Sequence, residues 1–335
     1  MIPRSMIVVV CVLLVGAVLA DEVCVNNNPM IGILTLPSER DGMVAEFPAS
    51  YVKWVESAGG RVVPIFHTQS DEELLDIASQ LNGILFTGGG DFISLNPLND
   101  YTRSAQTLLS YVRQQNSMTH VPYPLWATCL GFETIAVLEC QDMDILSPMD
   151  AAHMSLPLDL EIGAYDSLMY TSGPDPMGIL DVLGTQNVTL NYHNWGITPS
   201  AYASCDMLRD EYVSLSTNVS RDGIEFVSSY EHATFPIMCS QYHPEKSMFE
   251  WTDAYMINHS YQAILVLQQL ADTFVHVARY NCNDSDGLMD IIIYNYNPTY
   301  TGKEGATIEQ QYFFSEADTK RECAPQGEDY SCVCL

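Results

Sequence analysis

Short apolar runs alternate with amphipathic stretches from Met30 to Thr128, and that alternation restricts the fold more than any other feature of the chain. The runs MIGILTL (30–36), RVVPIF (61–66), GILFT (83–87) and PLWAT (124–128) are unbroken and bounded by polar or turn residues. They read as strands buried on both faces. Between the first two, Tyr51, Trp54, Val55 and Ala58 mark a helix face that stops at Gly59-Gly60. Ser70 and Glu73 form a capping box at the head of the helix DEELLDIASQ. A further helix is predicted around Thr102–Gln115. Strands separated by helices pair in parallel through crossovers, so the pattern predicts an α/β fold with a mostly parallel sheet covered on both faces. From about Val188 the runs NVTLNY, YVSLST, IEFVSSY and IMCSQY lie closer together, as in strands joined by hairpins or short turns. A long helix, Tyr261–Tyr280, follows.

Charge and the two termini set the setting. With 13 Lys+Arg against 42 Asp+Glu the net charge is −29, which repels phosphate backbones and argues against a nucleic-acid partner. A hydrophobic fraction of 47 % with only 16 % charged residues excludes a largely disordered chain. Arg4 is the only charge before the apolar stretch Met6–Ala20, which ends in Val18 and Ala20 at the −3 and −1 positions of a cleavage site. That grammar predicts a signal peptide over residues 1–20 rather than a membrane anchor, because a spanning helix needs about 20 apolar residues. Nothing later in the sequence is long and apolar enough to span. Residues 21–317 then read as one catalytic domain and 318–335 as a Cys-rich tail.

Cysteine usage agrees with export. Of ten cysteines Cys11 leaves with the leader, so nine remain, an odd number that leaves at least one thiol unpaired or bonded to another chain. The tail cysteines Cys323, Cys332 and Cys334 are expected to pair with one another or with the body. Cys140 and Cys239 sit in apolar elements and read as buried thiols. Asn187, Asn218, Asn258 and Asn283 head Asn-X-Ser/Thr sequons and are glycosylation candidates.

The segment PLWATCLGFE carries the sharpest chemical signal. A buried strand ends at Thr128, Cys129 takes the corner, and LGFETIAVLE continues as a helix. That position exposes the sulfur above the sheet edge and beside the positive end of a helix, which favours thiolate. Gly131 leaves room for a tight turn, as in a nucleophile elbow. A buried structural cysteine is the competing reading. His243-Pro244-Glu245 follows the strand IMCSQY; the histidine can take and return a proton, and Glu245 can hold its tautomer. Gly88–Gly90 follow the third strand, so the Gly89 and Leu130 amides are candidates for an oxyanion hole. Glu133, one helical turn after Cys129, could merely complement the helix N-terminus. His67, His120, His153, His232, His259 and His276 read as surface or solvated groups. The run CNDSDGLMDIII fails the calcium-loop register, no HExxH or paired CxxC supports zinc, and the glycines lack a following Lys-Ser/Thr, so no metal and no cofactor is expected.

These residues lead to a resemblance. Cys129 in TCLGFE with His243 and Glu245 in YHPEK resemble a class I glutamine amidotransferase triad. The blocks PMIGILTLP, ASYVKWVESAGGRVVPI, NGILFTGGG, WATCLGFE, NYHNWGI, YHPEKSMFEW and IIYNYNPTYTG, in that order, resemble the γ-glutamyl hydrolase (folylpolyglutamate hydrolase) branch over about residues 29–315. Thr87 stands where better-known members carry proline, residues 140–180 match loosely, and the tail has no counterpart. The resemblance implies a flavodoxin-like three-layer α/β core and hydrolysis of γ-linked glutamate chains on folates through a Cys129 thioester. It further implies His243 as base, Glu245 as its orienter, and Tyr51, Glu133 and His193 near the substrate. A homodimer and a secreted or lysosomal location are part of the same expectation. Two other readings stay open: a glutaminase-type amidohydrolase, and a secreted non-catalytic scaffold with the same fold.

Overall fold

The computed structural model describes residues 24–90, 93–171, 178–253 and 255–320, together with the backbone of 323–325 and 332–334. The leader and the tail cysteines' side chains lie outside the described residues. The central sheet has eight strands: β1 Met30–Leu34, β2 Arg61–Ile65, β3 Gly83–Phe86, β4 Leu125–Thr128, β5 Asp159–Leu160, β6 Tyr212–Val219, β7 Glu225–His232 and β8 Ile237–Ser240. Their order is β2-β1-β3-β4-β8-β7-β6-β5. The first five run parallel. The remaining pairs are antiparallel. An order of 2-1-3-4 with a fifth parallel strand beside β4 is the flavodoxin-like arrangement, here completed by β8.

Burial follows the period of two along each strand. Met30, Leu34, Val63, Ile65, Ile84, Phe86, Leu125 and Ala127 face one core. Ile31, Ile33, Val62, Leu85 and Trp126 face the other. Helices α2 (Asp71–Gln80), α3 (Asp100–Met118) and α4 (Leu130–Cys140) cover the first core through Leu74, Leu108 and Ile135. Helices α1 (Ala49–Ser57) and α5 (Tyr261–Ala278) cover the second. There Trp54 meets Trp126 at 5.0 Å and Phe274 at 6.3 Å between ring centroids. The expected three layers therefore form, and the Ser70–Glu73 capping box closes both of its hydrogen bonds.

Several local expectations change. NVTLNY does not join the central sheet: Thr189–Asn191 pairs antiparallel with Met154–Leu156 in a separate ribbon. Its partner comes from the loosely matching 140–180 region, which the run's own pattern could not name. A small antiparallel sheet, with Gln310–Phe314 between Ala45–Pro48 and Thr299–Tyr300, brings the C-terminal segment beside the carboxyl ends of the parallel strands. Cys140 is not a thiol but is bonded to Cys205, because the last residue of α4 turns toward the short helix Asp206–Glu211 packed on it. Cys24 is bonded to Cys282, and Cys239 stays a buried thiol. His67 and His232 are buried rather than solvated. His67 sits just past β2 with Nδ1 3.1 Å from Thr35 Oγ1, and His232 stacks on Phe235 at 4.4 Å. Burial pushes both imidazoles down to about 4.

Candidate active site

The carboxyl ends of three adjacent parallel strands supply the groups that matter, in the crevice where open α/β sheets bind ligands. Cys129 joins β4 to α4 with φ 50° and ψ −103°, a left-handed backbone that a non-glycine residue adopts at a cost. Neighbouring strands hold that turn. The Cys129 N–H donates to Ser240 O at the end of β8 (2.8 Å), and the Gly131 N–H donates to Thr87 O just past β3 (3.1 Å). A Cβ on Gly131 would lie 2.6 Å from the Phe86 carbonyl oxygen, so the close approach requires glycine. The elbow expected from the sequence is present.

His243 follows β8, and its N–H donates to Leu190 O (2.9 Å). Nδ1 lies 2.8 Å from Glu245 Oε1 and 3.3 Å from Tyr51 Oη. Nε2 is buried and has no hydrogen-bond partner among the described residues. Gly88 lies against both side chains: a Cβ there would sit 2.6 Å from His243 Cε1 and 3.0 Å from Cys129 Cβ. Cys129, His243, Gly88–Gly90 and Leu130 all line one cavity of about 670 Å³.

Comparison with known proteins bears on this arrangement. The Peptidase C26 profile matches residues 29–143. Gamma-glutamyl hydrolase B of Dictyostelium discoideum is 38% identical over 298 residues, covering 87% of this chain and 84% of that protein. The Mus musculus gamma-glutamyl hydrolase is 34% identical over 299 residues, covering 86% and 90%. The chain belongs to the γ-glutamyl hydrolase family. Among solved structures, a glutamine amidotransferase from Methylobacillus flagellatus aligns at 12% identity with a TM-score of 0.45, over 76% of this chain and 94% of that one.

Protonation in this family member differs from what the elbow alone suggests. Burial, reinforced by Glu133 and Glu245, pushes the Cys129 thiol well above its ordinary value, and the Leu130 N–H and Lys246 do not offset it. The expectation that the helix end favours thiolate is not met, because burial of the sulfur outweighs it. Burial also lowers His243, although Glu245 pulls it up. Burial raises Glu245, but His243 and Lys246 outweigh it and hold the carboxyl below its usual range. At neutral pH the groups are therefore a thiol, a neutral imidazole and a carboxylate.

The remaining sequence candidates fall around the same cavity. Tyr51 accepts the Gly88 N–H (2.8 Å) and reaches His243, so its hydroxyl is already engaged. Glu133 accepts a hydrogen bond from Gln241 Nε2 (2.9 Å), yet burial pushes it to about 8, which makes it a neutral acid rather than the helix-end anion the sequence allowed. His193 lies with Nδ1 2.7 Å from Trp195 O and Nε2 3.2 Å from Asn191 Oδ1, and burial pushes it down to about 4. The Leu130 amide, first in α4, lies among those without an intrahelical partner, and Gly89 lies beside it on the cavity wall. Of the sequon asparagines, Asn187 is exposed. Asn218 is buried, donating to Pro157 O (2.6 Å) and accepting from Ser228. Asn258 donates to Asn187 O and Asn283 to Leu81 O, both half-buried.

Sequence reasoning passed over three lining residues. Tyr192 presents its carbonyl 3.9 Å from the Cys129 sulfur, and its ring packs on Tyr255 at 4.5 Å. Lys246 is buried beside Glu245. A lysine following HPE carries no sign of burial, and the signal that could have pointed to it was only its adjacency to the triad.

Proposed function

We propose that this chain hydrolyses the γ-glutamyl bonds of folylpoly-γ-glutamates through a thioester on Cys129. The observation that carries the reading is the unpartnered, buried Nε2 of a His243 oriented by Glu245, with Gly88 against both that histidine and the cysteine of a strained elbow. In this scheme the neutral imidazole takes the thiol proton as sulfur attacks the γ-carbonyl carbon. The Gly89 and Leu130 amides receive the oxyanion. The C–N bond breaks, His243 returns the proton to the leaving amine, and a water activated by the same nitrogen cleaves the thioester to the free γ-carboxylic acid. Because the thiol starts protonated, attack and proton transfer to His243 are coupled rather than sequential.

Tyr51 serves in this reading to hold His243 and the Gly88 turn, while Glu133 and His193 bound the substrate site as neutral groups. No step calls for a metal or cofactor. A secreted or lysosomal location is supported by the leader pattern and by two disulfides, which persist in oxidising compartments. Among the described residues no helix is long and apolar enough to cross a membrane. The homodimer rests on family resemblance, and light scattering of the purified protein tests it.

The deciding experiment compares pteroyl-γ-diglutamate with its α-linked isomer at mildly acidic pH, reading products by chromatography. The γ-isomer should be cleaved and the α-isomer spared, since misplacing the scissile carbonyl by about 1 Å costs roughly 10²-fold in rate. Equal cleavage of both would overturn γ-specificity. Faster release of ammonia from free glutamine would favour the glutaminase reading.

A further inference from the structure

We propose that Asn187 is the principal glycosylated residue of this protein, and that Asn218, which heads a sequon of the same kind, stays unmodified in the folded chain. The assignment rests on the secreted or lysosomal location read above, because N-linked glycans are added to chains that enter that route. In the transfer the side-chain amide nitrogen attacks the anomeric carbon of a lipid-pyrophosphate-linked oligosaccharide. The new N–C bond replaces the C–O bond to the pyrophosphate, which leaves with the lipid, and one amide proton passes to solvent. Addition precedes folding, so the folded structure acts as a filter on what was added. The amide nitrogen of a modified asparagine must end in solvent.

Asn187 meets that condition. It occupies the bend between the short helix Ile179–Thr185 and the ribbon strand Thr189–Asn191, and it is exposed. Its side-chain amide makes no hydrogen bond among the described residues; only its main-chain carbonyl is used, accepting from Asn258 Nδ2 at 2.7 Å. A sugar on that nitrogen therefore costs the fold no contact. It also stands clear of the cavity, since Asn187 enters the ribbon at the end remote from Tyr192, which lines it.

Asn218 differs in each respect. It is 4% exposed inside β6, its Nδ2 donates to Pro157 O at 2.6 Å, and its Oδ1 accepts from Ser228 Oγ at 2.7 Å. A sugar on Nδ2 must displace Pro157 and with it β5, the edge strand that begins at Asp159 and pairs with β6. The buried partners left behind would be unsatisfied, so a chain modified there does not reach the native state. Asn258 and Asn283 fall between the two extremes. Both are half-buried, and each spends an amide N–H on a main-chain carbonyl, at 2.7 and 2.9 Å. Attachment leaves only one of the amide's two hydrogens to keep that bond, which places their occupancy below that of Asn187.

For the test, the full chain with its leader is expressed in a secreting eukaryotic cell line and purified. Glycans are removed with peptide N-glycosidase in heavy-oxygen water, which converts each glycosylated asparagine to a labelled aspartate, and peptides are mapped by mass spectrometry. Position 187 should carry the most label, positions 258 and 283 less, and position 218 none. Asn187→Gln should lose most of the glycosidase-sensitive mass while its circular dichroism stays native. If that variant is not recovered, the occupancies on wild type decide. Label at position 218 in the folded protein would overturn the proposal. So would a leader-cleaved chain whose Asn187 is unmodified, and neither result touches the location reading. A chain that keeps residues 1–20 and carries no glycan at any position would instead refute the secreted or lysosomal location, and this assignment with it.

Discussion

Cys129 and Cys239 belong to adjacent parallel strands, one just past the end of β4 and the other inside β8, and in the proposed mechanism only one of them has anything to react with. In register Cys239 on β8 pairs with Ala127, two residues before Cys129 on β4. Both are buried thiols, at 5% and 0% exposure, and burial pushes both well above the ordinary cysteine value. Neither desolvation nor strand identity separates them. Position along the strand does. Cys239 lies inside β8 against Tyr230 in the closed core. Cys129 lies just past the strand, on a positive φ, where the chain leaves the sheet and opens onto a cavity shared with His243. In the proposed reading a nucleophile here is made by an opening and a base, not by a lowered thiol pKa.

The strongest way to break that comparison is to remove each sulfur. Cys129→Ala should lower turnover of pteroyl-γ-diglutamate by roughly 10⁴-fold or more while circular dichroism stays native, and Cys239→Ala should leave kcat/KM within about threefold. Comparable losses in the two variants would mean that position is not what distinguishes them. Next in size is the elbow. Gly131→Ala drives a methyl against the Phe86 carbonyl and must shift Cys129, so steady-state kinetics should show about a 10²-fold loss in kcat/KM. An active G131A protein would show the turn to be tolerant.

Protonation sharpens the contrast on a smaller scale. In the proposed mechanism His243 is the neutral base, and burial lowers its pKa, so the acid limb of kcat/KM should fall below pH 6.5. Ionisation of Glu133 near pH 8 places a second carboxylate beside the thiol and raises it further, so a basic limb should begin there. Beyond each limb the rate falls about tenfold per pH unit. Glu133→Gln should carry the basic limb upward; a limb that stays put would exclude Glu133. The smallest effect belongs to Cys239→Ala, a stability loss of about 1 kcal/mol by urea unfolding. Iodoacetamide on the native wild type should label Cys129 and spare Cys239, which peptide mass spectrometry reads directly.

Much of this site was legible in the chain. TCLGFE and the Gly88–Gly90 run each follow a strand of the helix-separated parallel series, and such strands end on one edge, so their convergence follows from the pattern. That the strand before YHPEK runs parallel beside β4 does not follow from it, since that strand lies among the closely spaced runs. Cys140 and His67 show where such reasoning stops. An apolar neighbourhood in sequence does not say which face of the last helical turn a cysteine occupies, and a polar residue after a strand does not announce the helix that will cover it. The charge state of Cys129 failed for a related reason: the helix terminus is a local feature, whereas the burial that raises the thiol, helped by Glu245 from the segment after β8, is set by packing.

Alternating apolar runs, caps and glycines determined a parallel three-layer core with a cysteine at its working edge, because these depend on contacts within a few residues or on the strand period. The tertiary structure alone decided that the Cys129 thiol stays protonated, that Glu133 is a neutral acid, that Cys140 bonds to Cys205, and that Lys246 lies buried beside Glu245. Each of these is set by desolvation or by charges and sulfurs brought from distant segments, and solvent exclusion is a property of the packed whole.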